Sequence, residues 1–85
     1  MTSIDEALAV ARRDRLSRWL QVGRPGGTSV NKVCVFADEG SWTVVITDER
    51  AAVVDSSRRK FASEAAAVDE ALDSARMLRA LLNED

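Results

Sequence analysis

Histidine and tyrosine are missing from this chain of 85 residues, and cysteine occurs once, at Cys34. Without histidine, no Ser/His/Asp or Cys/His relay can be assembled within the chain, and a zinc site of His and Cys ligands is excluded with it. The acid, base and nucleophile inventory shrinks to carboxylates, hydroxyls and one thiol, so the chain reads as a non-enzyme. Its carboxylates fall in adjacent pairs such as Asp5-Glu6, Asp38-Glu39, Asp48-Glu49 and Asp69-Glu70. A calcium loop would alternate them instead, so no metal and no cofactor is expected. A lone cysteine builds no disulfide framework, and the opening MTSIDEALAVARRDR places acids where a secretory leader needs a basic start and an apolar run. A cytoplasmic location is the expectation. The apolar runs Val44 to Ile46 and Ala65 to Val68 fall far short of the roughly 20 residues of a membrane span.

What is present is the composition of a folded domain: 46% hydrophobic and 31% charged residues, at a length that accommodates a single small globular domain over 1–85. Many of the apolar residues are alanine, which limits the core and favours added burial against a partner. The net charge is −2, unevenly spread. The stretch to Phe36 is net basic and the remainder net acidic, a polarity that steers association with charged partners but does not favour nucleic acid.

Ser3 with Glu6 forms a capping-box pair, and Ile4, Ala7, Leu8 and Ala11 recur at helical spacing, so a helix is predicted over 3–20. Beyond Asp14 the stripe drifts to Leu16, Trp19 and Leu20. VGRPGGTS is a loop. Val30 to Phe36, Trp42 to Thr47 and Ala51 to Val54 read as strands joined by turns at Asp38-Glu39-Gly40 and Asp48-Glu49-Arg50, a meander over 30–54. Asp55 to Lys60 follows as a polar, basic loop. Ser63 then caps a helix over 63–82 whose stripe runs through Val68, Ala71, Leu72, Ala75, Leu78 and Leu82. The order α-β-β-β-α implies an α+β two-layer sandwich on a three-stranded antiparallel meander. Both helices cover one sheet face, met by Trp42, Val44 and Ile46, while the opposite face is partly bare and open to a partner or a homodimer.

Arg12, Arg13, Arg15 and Arg18 point several ways around the predicted first helix, with Asp14 placed to pair with Arg18. This reads as a solvated face, with a grip on phosphate or an acidic partner as the functional alternative. Cys34 packs as a small hydrophobe, and Trp19 either closes the core or anchors a partner. Glu49, Arg50 and Glu64 are candidates for a charge network between the second turn and the last helix.

The segment SSRRKFASEAAAVDEAL is similar to the final part of double-stranded RNA-binding domains. That resemblance implies phosphate contacts by Arg58, Arg59 and Lys60, although the base expected next is replaced by Ser63 and Glu64. A longer stretch, WTVVITDERAAVVDSSRRKFASEAAAVDEAL, resembles the immunity-protein families of bacterial polymorphic toxin systems, closest to immunity family fifty-nine. The shared features are a Trp-led strand, a Glu-Arg turn, a Phe and a Ser-Glu helix start. The chain departs from that pattern at Ala51, where the family tends to place glycine. The resemblance implies a small cytosolic antidote that binds one cognate toxin, encoded by an adjacent gene, and occludes its active site. Asp48, Glu49, Arg50, Asp69, Glu70, Asp73 and Trp19 are the partner-binding candidates, the carboxylates acting as phosphate mimics if the toxin is a nuclease.

Overall fold

The computed structural model describes residues 3–82. Six elements follow one another: α1 (Ile4–Arg13), β1 (Leu20–Val22), β2 (Val33–Asp38), β3 (Ser41–Thr47), β4 (Val53–Phe61) and α2 (Glu64–Leu82). The four strands form one sheet in the order β1-β2-β3-β4, with β1 parallel to β2 and the other pairs antiparallel. The α+β class holds, with one more strand than expected and a mixed sheet in place of a pure meander. α2 lies across the sheet and α1 packs mainly against α2. Ala7 and Ala11 of α1, with Ala67, Ala71 and Ala75 of α2, are buried in that core. Their small side chains let the helices approach closely.

The first helix is shorter than predicted because it ends in a Schellman motif. After the C-cap Asp14, Arg15 turns left-handed at φ 60°. Its N–H then donates to the Arg12 carbonyl and that of Leu16 to the Ala11 carbonyl. Leu16, fully buried, makes the apolar contact that accompanies this closure. The drift in the stripe is therefore a change of direction: Trp19 and Leu20 enter the core from a turn and from β1. The i, i+4 pairing of Asp14 with Arg18 has no helix to support it, and Asp14 pairs instead with Arg13 at 3.3 Å and Arg76 at 3.4 Å.

The sheet face expected to be bare is closed. Cys34, Phe36 and Val45 form a second buried cluster there. The loop 23–32 that joins β1 to β2 lies on this side, because Gln21, the register partner of Cys34, donates to the Arg24 carbonyl at 2.8 Å and accepts from Ser29 at 2.7 Å. Arg24 also stacks on Phe36 at 4.8 Å and pairs with Asp38 at 3.0 Å. Burial pushes the Cys34 thiol up from its ordinary value, with Lys32 opposing, as fits an inert packed thiol.

The basic loop predicted at 55–60 is strand. β4 pairs with β3 in two registers, Val53 and Val54 against Thr47 and Ile46, then Arg59 to Phe61 against Val44 to Trp42. Between them Asp55 to Arg58 bulge out, and the Ser57 hydroxyl accepts the Ile46 N–H at 2.8 Å in place of a ladder bond. An outer strand with a bulge and charged side chains is protected against edge pairing.

The turns hold the expected shapes at some conformational cost. Glu39 and Gly40 both have positive φ, as a type I′ hairpin requires. Ala51, where the resemblance called for glycine, also sits at φ 63°. A side chain in this region costs on the order of 1–2 kcal/mol. Gly substituted for Ala51, and separately for Arg15, is expected to raise the free energy of unfolding by about 1 kcal/mol each, since glycine's greater unfolded-state freedom returns part of the gain. Urea denaturation checks this.

Candidate functional site

The partner-binding candidates separate into three places. Trp19 is only 6% exposed and belongs to the main core, so it is not an exposed anchor. Once α1 has turned at Arg15, Trp19 falls in the same cluster as Leu16 and Leu20, where burying the ring removes a large apolar surface from water. Asp48, Glu49 and Arg50 form the β3–β4 turn. There the Asp48 carboxylate accepts the backbone N–H groups of Arg50 at 2.8 Å and Ala52 at 3.0 Å. Asp69 and Asp73 face α1 across a groove shared with Glu6, Arg13 and Arg76, and Asp73 is paired with Arg76 at 3.2 Å. Glu70 is turned the other way, 3.9 Å from Arg59 of β4. The acidic candidates thus do not converge on one patch. Glu64 is not in a network with Glu49 and Arg50, because its carboxylate accepts the Ile4 N–H at 3.0 Å and ties the two helix starts together.

Arg58, Arg59 and Lys60 lie along β4 rather than at the start of α2. In a strand, neighbouring side chains alternate. Arg59 is opposite Val44 on the helix side and Lys60 opposite Thr43 on the other, so the run is divided between two faces.

Two features that no single motif announced flank the C-terminal half of α2. One is an open groove of about 400 Å³ lined by Arg15, Arg18, Trp19, Arg79 and Leu82. Arg18 lies 4.9 Å over the Trp19 ring, and Arg79 donates to the Asp14 carbonyl at the end of α1. Among the described residues, none of these three arginines is within ion-pair distance of a carboxylate. The other is a shallow apolar depression where Ile46 of β3 meets Ser74, Met77, Leu78 and Leu81. Met77 is 65% and Leu81 76% exposed. The signal for it lay in α2 itself: Met77 and Leu81 are apolar residues outside the core-facing stripe.

Ionisation in this fold is perturbed at two carboxylates. The Arg13 and Arg76 guanidinium groups hold the Asp14 carboxyl below its usual range against some opposing desolvation. The Ala52 and Arg50 N–H groups do the same for Asp48. Carboxyls depressed on folding contribute stability above the unfolded-state pKa near 4 and lose it as pH falls through that value towards the folded one. The midpoint of urea unfolding is therefore expected to hold from pH 7 to about 5 and drop below about 4. Asp48→Asn, whose amide oxygen can still accept both N–H groups, should flatten part of that drop.

Among the described residues, no group of three or more His, Cys, Asp or Glu is placed to hold a metal ion, and no helix is long and apolar enough to cross a membrane. Compared with known protein families, curated proteins and solved structures, the chain matches none.

Proposed function

We propose that this chain is a protein-binding domain that neutralises a cognate bacterial toxin by direct contact, covering the toxin's active site. The observation that carries the binding part is the exposed apolar pair on α2, where Met77 and Leu81 stand in solvent beside the depression at Ile46 on a helix whose other side is core. Neighbouring apolar side chains left exposed in this way mark an interaction surface. The resemblance of residues 42–72 to immunity proteins supplies the kind of partner, and the poverty of catalytic side chains agrees with action by occlusion. Phosphate tracking along duplex RNA draws less support, because Arg58, Arg59 and Lys60 are split between two sheet faces.

Co-expression with the product of the adjacent gene tests the reading. Relief of growth arrest together with a stable co-purified complex is the expected result. A neighbour that is harmless by itself and forms no complex overturns it.

A further inference from the structure

We propose that the groove at the end of α1 is a phosphate-binding site, in which Arg15, Arg18 and Arg79 hold the dianion of a small phosphate monoester. The inference goes beyond toxin binding and does not depend on it.

The first argument is what these cations lack. The chain carries 14 acidic against 12 basic residues, and Arg13, Arg24, Arg59 and Arg76 each pair with a carboxylate. Arg15, Arg18 and Arg79 line one groove, and among the described residues no carboxylate lies within ion-pair distance of any of them. Lys32 adds a fourth positive charge beside them, its ammonium donating to the Arg18 carbonyl at 2.8 Å. Like charges gathered in one place raise the local positive potential and draw anions to it.

The second argument is that structural duties account for only part of the cluster. Arg79 caps the Asp14 carbonyl at the end of α1, where the helix dipole favours a cation, and Lys32 is held by the Arg18 carbonyl. Arg15 and Arg18 have no such duty. Among the described residues neither donates a side-chain hydrogen bond, and Arg18 only lies over the Trp19 ring at 4.9 Å. Their donors remain for a ligand, beside an Arg79 already fixed in place.

The third argument is the chemistry that fits. A carboxylate fills one guanidinium fork, whereas a phosphate monoester carries about −1.5 to −2 charge and three strong acceptor oxygens, enough to engage several. The groove's volume of about 400 Å³ falls at the lower end of the roughly 300–1,000 Å³ of small-molecule sites. That leaves room for a modest organic group, with Leu82 as an apolar wall. A nucleic-acid strand needs cations in a row. Here the row stops, because the neighbouring Arg13 and Arg76 are held by Asp14 and Asp73.

The test titrates the whole ¹⁵N-labelled chain with sodium phosphate, ribose 5-phosphate and sodium acetate at constant ionic strength, and repeats urea unfolding with each. Both phosphates are expected to shift the Trp19 indole and the Arg15 and Arg18 amides saturably and to raise the urea midpoint, and acetate to do neither. Ribose 5-phosphate should bind several-fold more tightly than inorganic phosphate, since its sugar covers Leu82, which is 47% exposed. Equal affinity assigns the groove to free phosphate and overturns the monoester. Arg15→Gln and Arg18→Gln should each weaken ribose 5-phosphate about tenfold, the loss of one charge-assisted contact, with the ligand-free urea midpoint close to the parent's. Arg58→Gln, on β4, should change the affinity less than twofold; a tenfold loss there would place the phosphate on the sheet and overturn the proposal. Equal shifts with acetate, or parent affinity in Arg18→Gln, also overturns it. So does binding that appears only in Glu84→Gln with Asp85→Asn, which gives the groove to the chain's own carboxylates. A phosphoserine peptide or a short RNA duplex that binds there more than tenfold more tightly than ribose 5-phosphate overturns the small ligand. The co-expression experiment is unaffected by any of these results, so the toxin reading stands or falls separately.

Discussion

Trp19→Ala is expected to lower the free energy of unfolding by about 3–5 kcal/mol, the cost of emptying a buried aromatic site. A chain of 85 residues has in all roughly 4–13 kcal/mol of stability, so the variant should be close to unfolded at 37 °C. The reason is where the ring sits: it fills the main core between the end of α1 and β1, with Leu16 and Leu20 in the same cluster. Trp19→Phe should retain most of the stability, since an aromatic ring remains in the site. Urea unfolding followed by far-UV circular dichroism decides the matter without relying on the fluorescence of the residue removed. A Trp19→Ala variant as stable as the parent would show that the ring is a surface anchor after all.

Two buried threonines on the same face of β3 should respond in opposite directions to the same substitution. The Thr43 hydroxyl is buried, and among the described residues it has no hydrogen-bond partner. The Thr47 hydroxyl, equally buried, accepts the Lys32 N–H at 2.9 Å and donates to the Lys32 carbonyl at 3.3 Å. Valine has nearly the same shape but no hydroxyl. Thr43→Val removes an unpaired polar group and adds a buried methyl, and is expected to stabilise by about 1–2 kcal/mol. Thr47→Val leaves the Lys32 N–H without its acceptor, and is expected to destabilise by about 1–3 kcal/mol. Their unfolding midpoints, measured side by side, should bracket that of the parent.

The N-terminal ends of both helices were legible, because caps are local. Ser3 accepts the Glu6 N–H at 3.2 Å and Ser63 the Ala66 N–H at 3.1 Å, as their sequence positions implied. The Glu39-Gly40 turn and the inward face of Trp42, Val44 and Ile46 were legible for the same reason: hairpin chemistry and a period of two act over a few residues. The end of α1 was not, since the usual glycine signal is absent and Arg15 adopts the left-handed conformation under the pull of Leu16 into the core. β1 was hidden because three residues in a parallel pair leave neither a turn signature nor an alternation to read. The run Val33-Cys34-Val35-Phe36 did carry a signal that the meander reading overlooked. Four consecutive buried apolar residues mean a strand covered on both sides, and the loop 23–32 is the second cover.

The candidate site divides in the same way. Charge and hydropathy named the arginines of the first 18 residues and the carboxylates of α2, but not their grouping. By itself the sequence determined what lies within reach of a few bonds: a chain without histidine, two capped helices, a hairpin turn at Gly40, and a helix whose core stripe leaves Met77 and Leu81 outside. Only the tertiary structure decided that Arg15, Arg18 and Arg79 share one groove, that Asp69 and Glu70 face opposite ways, and that Trp19 is buried. The physical reason is range. Caps and turns are set by hydrogen bonds between near neighbours, whereas these groupings follow from burying α2 against a sheet whose first strand pairs only after a ten-residue excursion, 23–32.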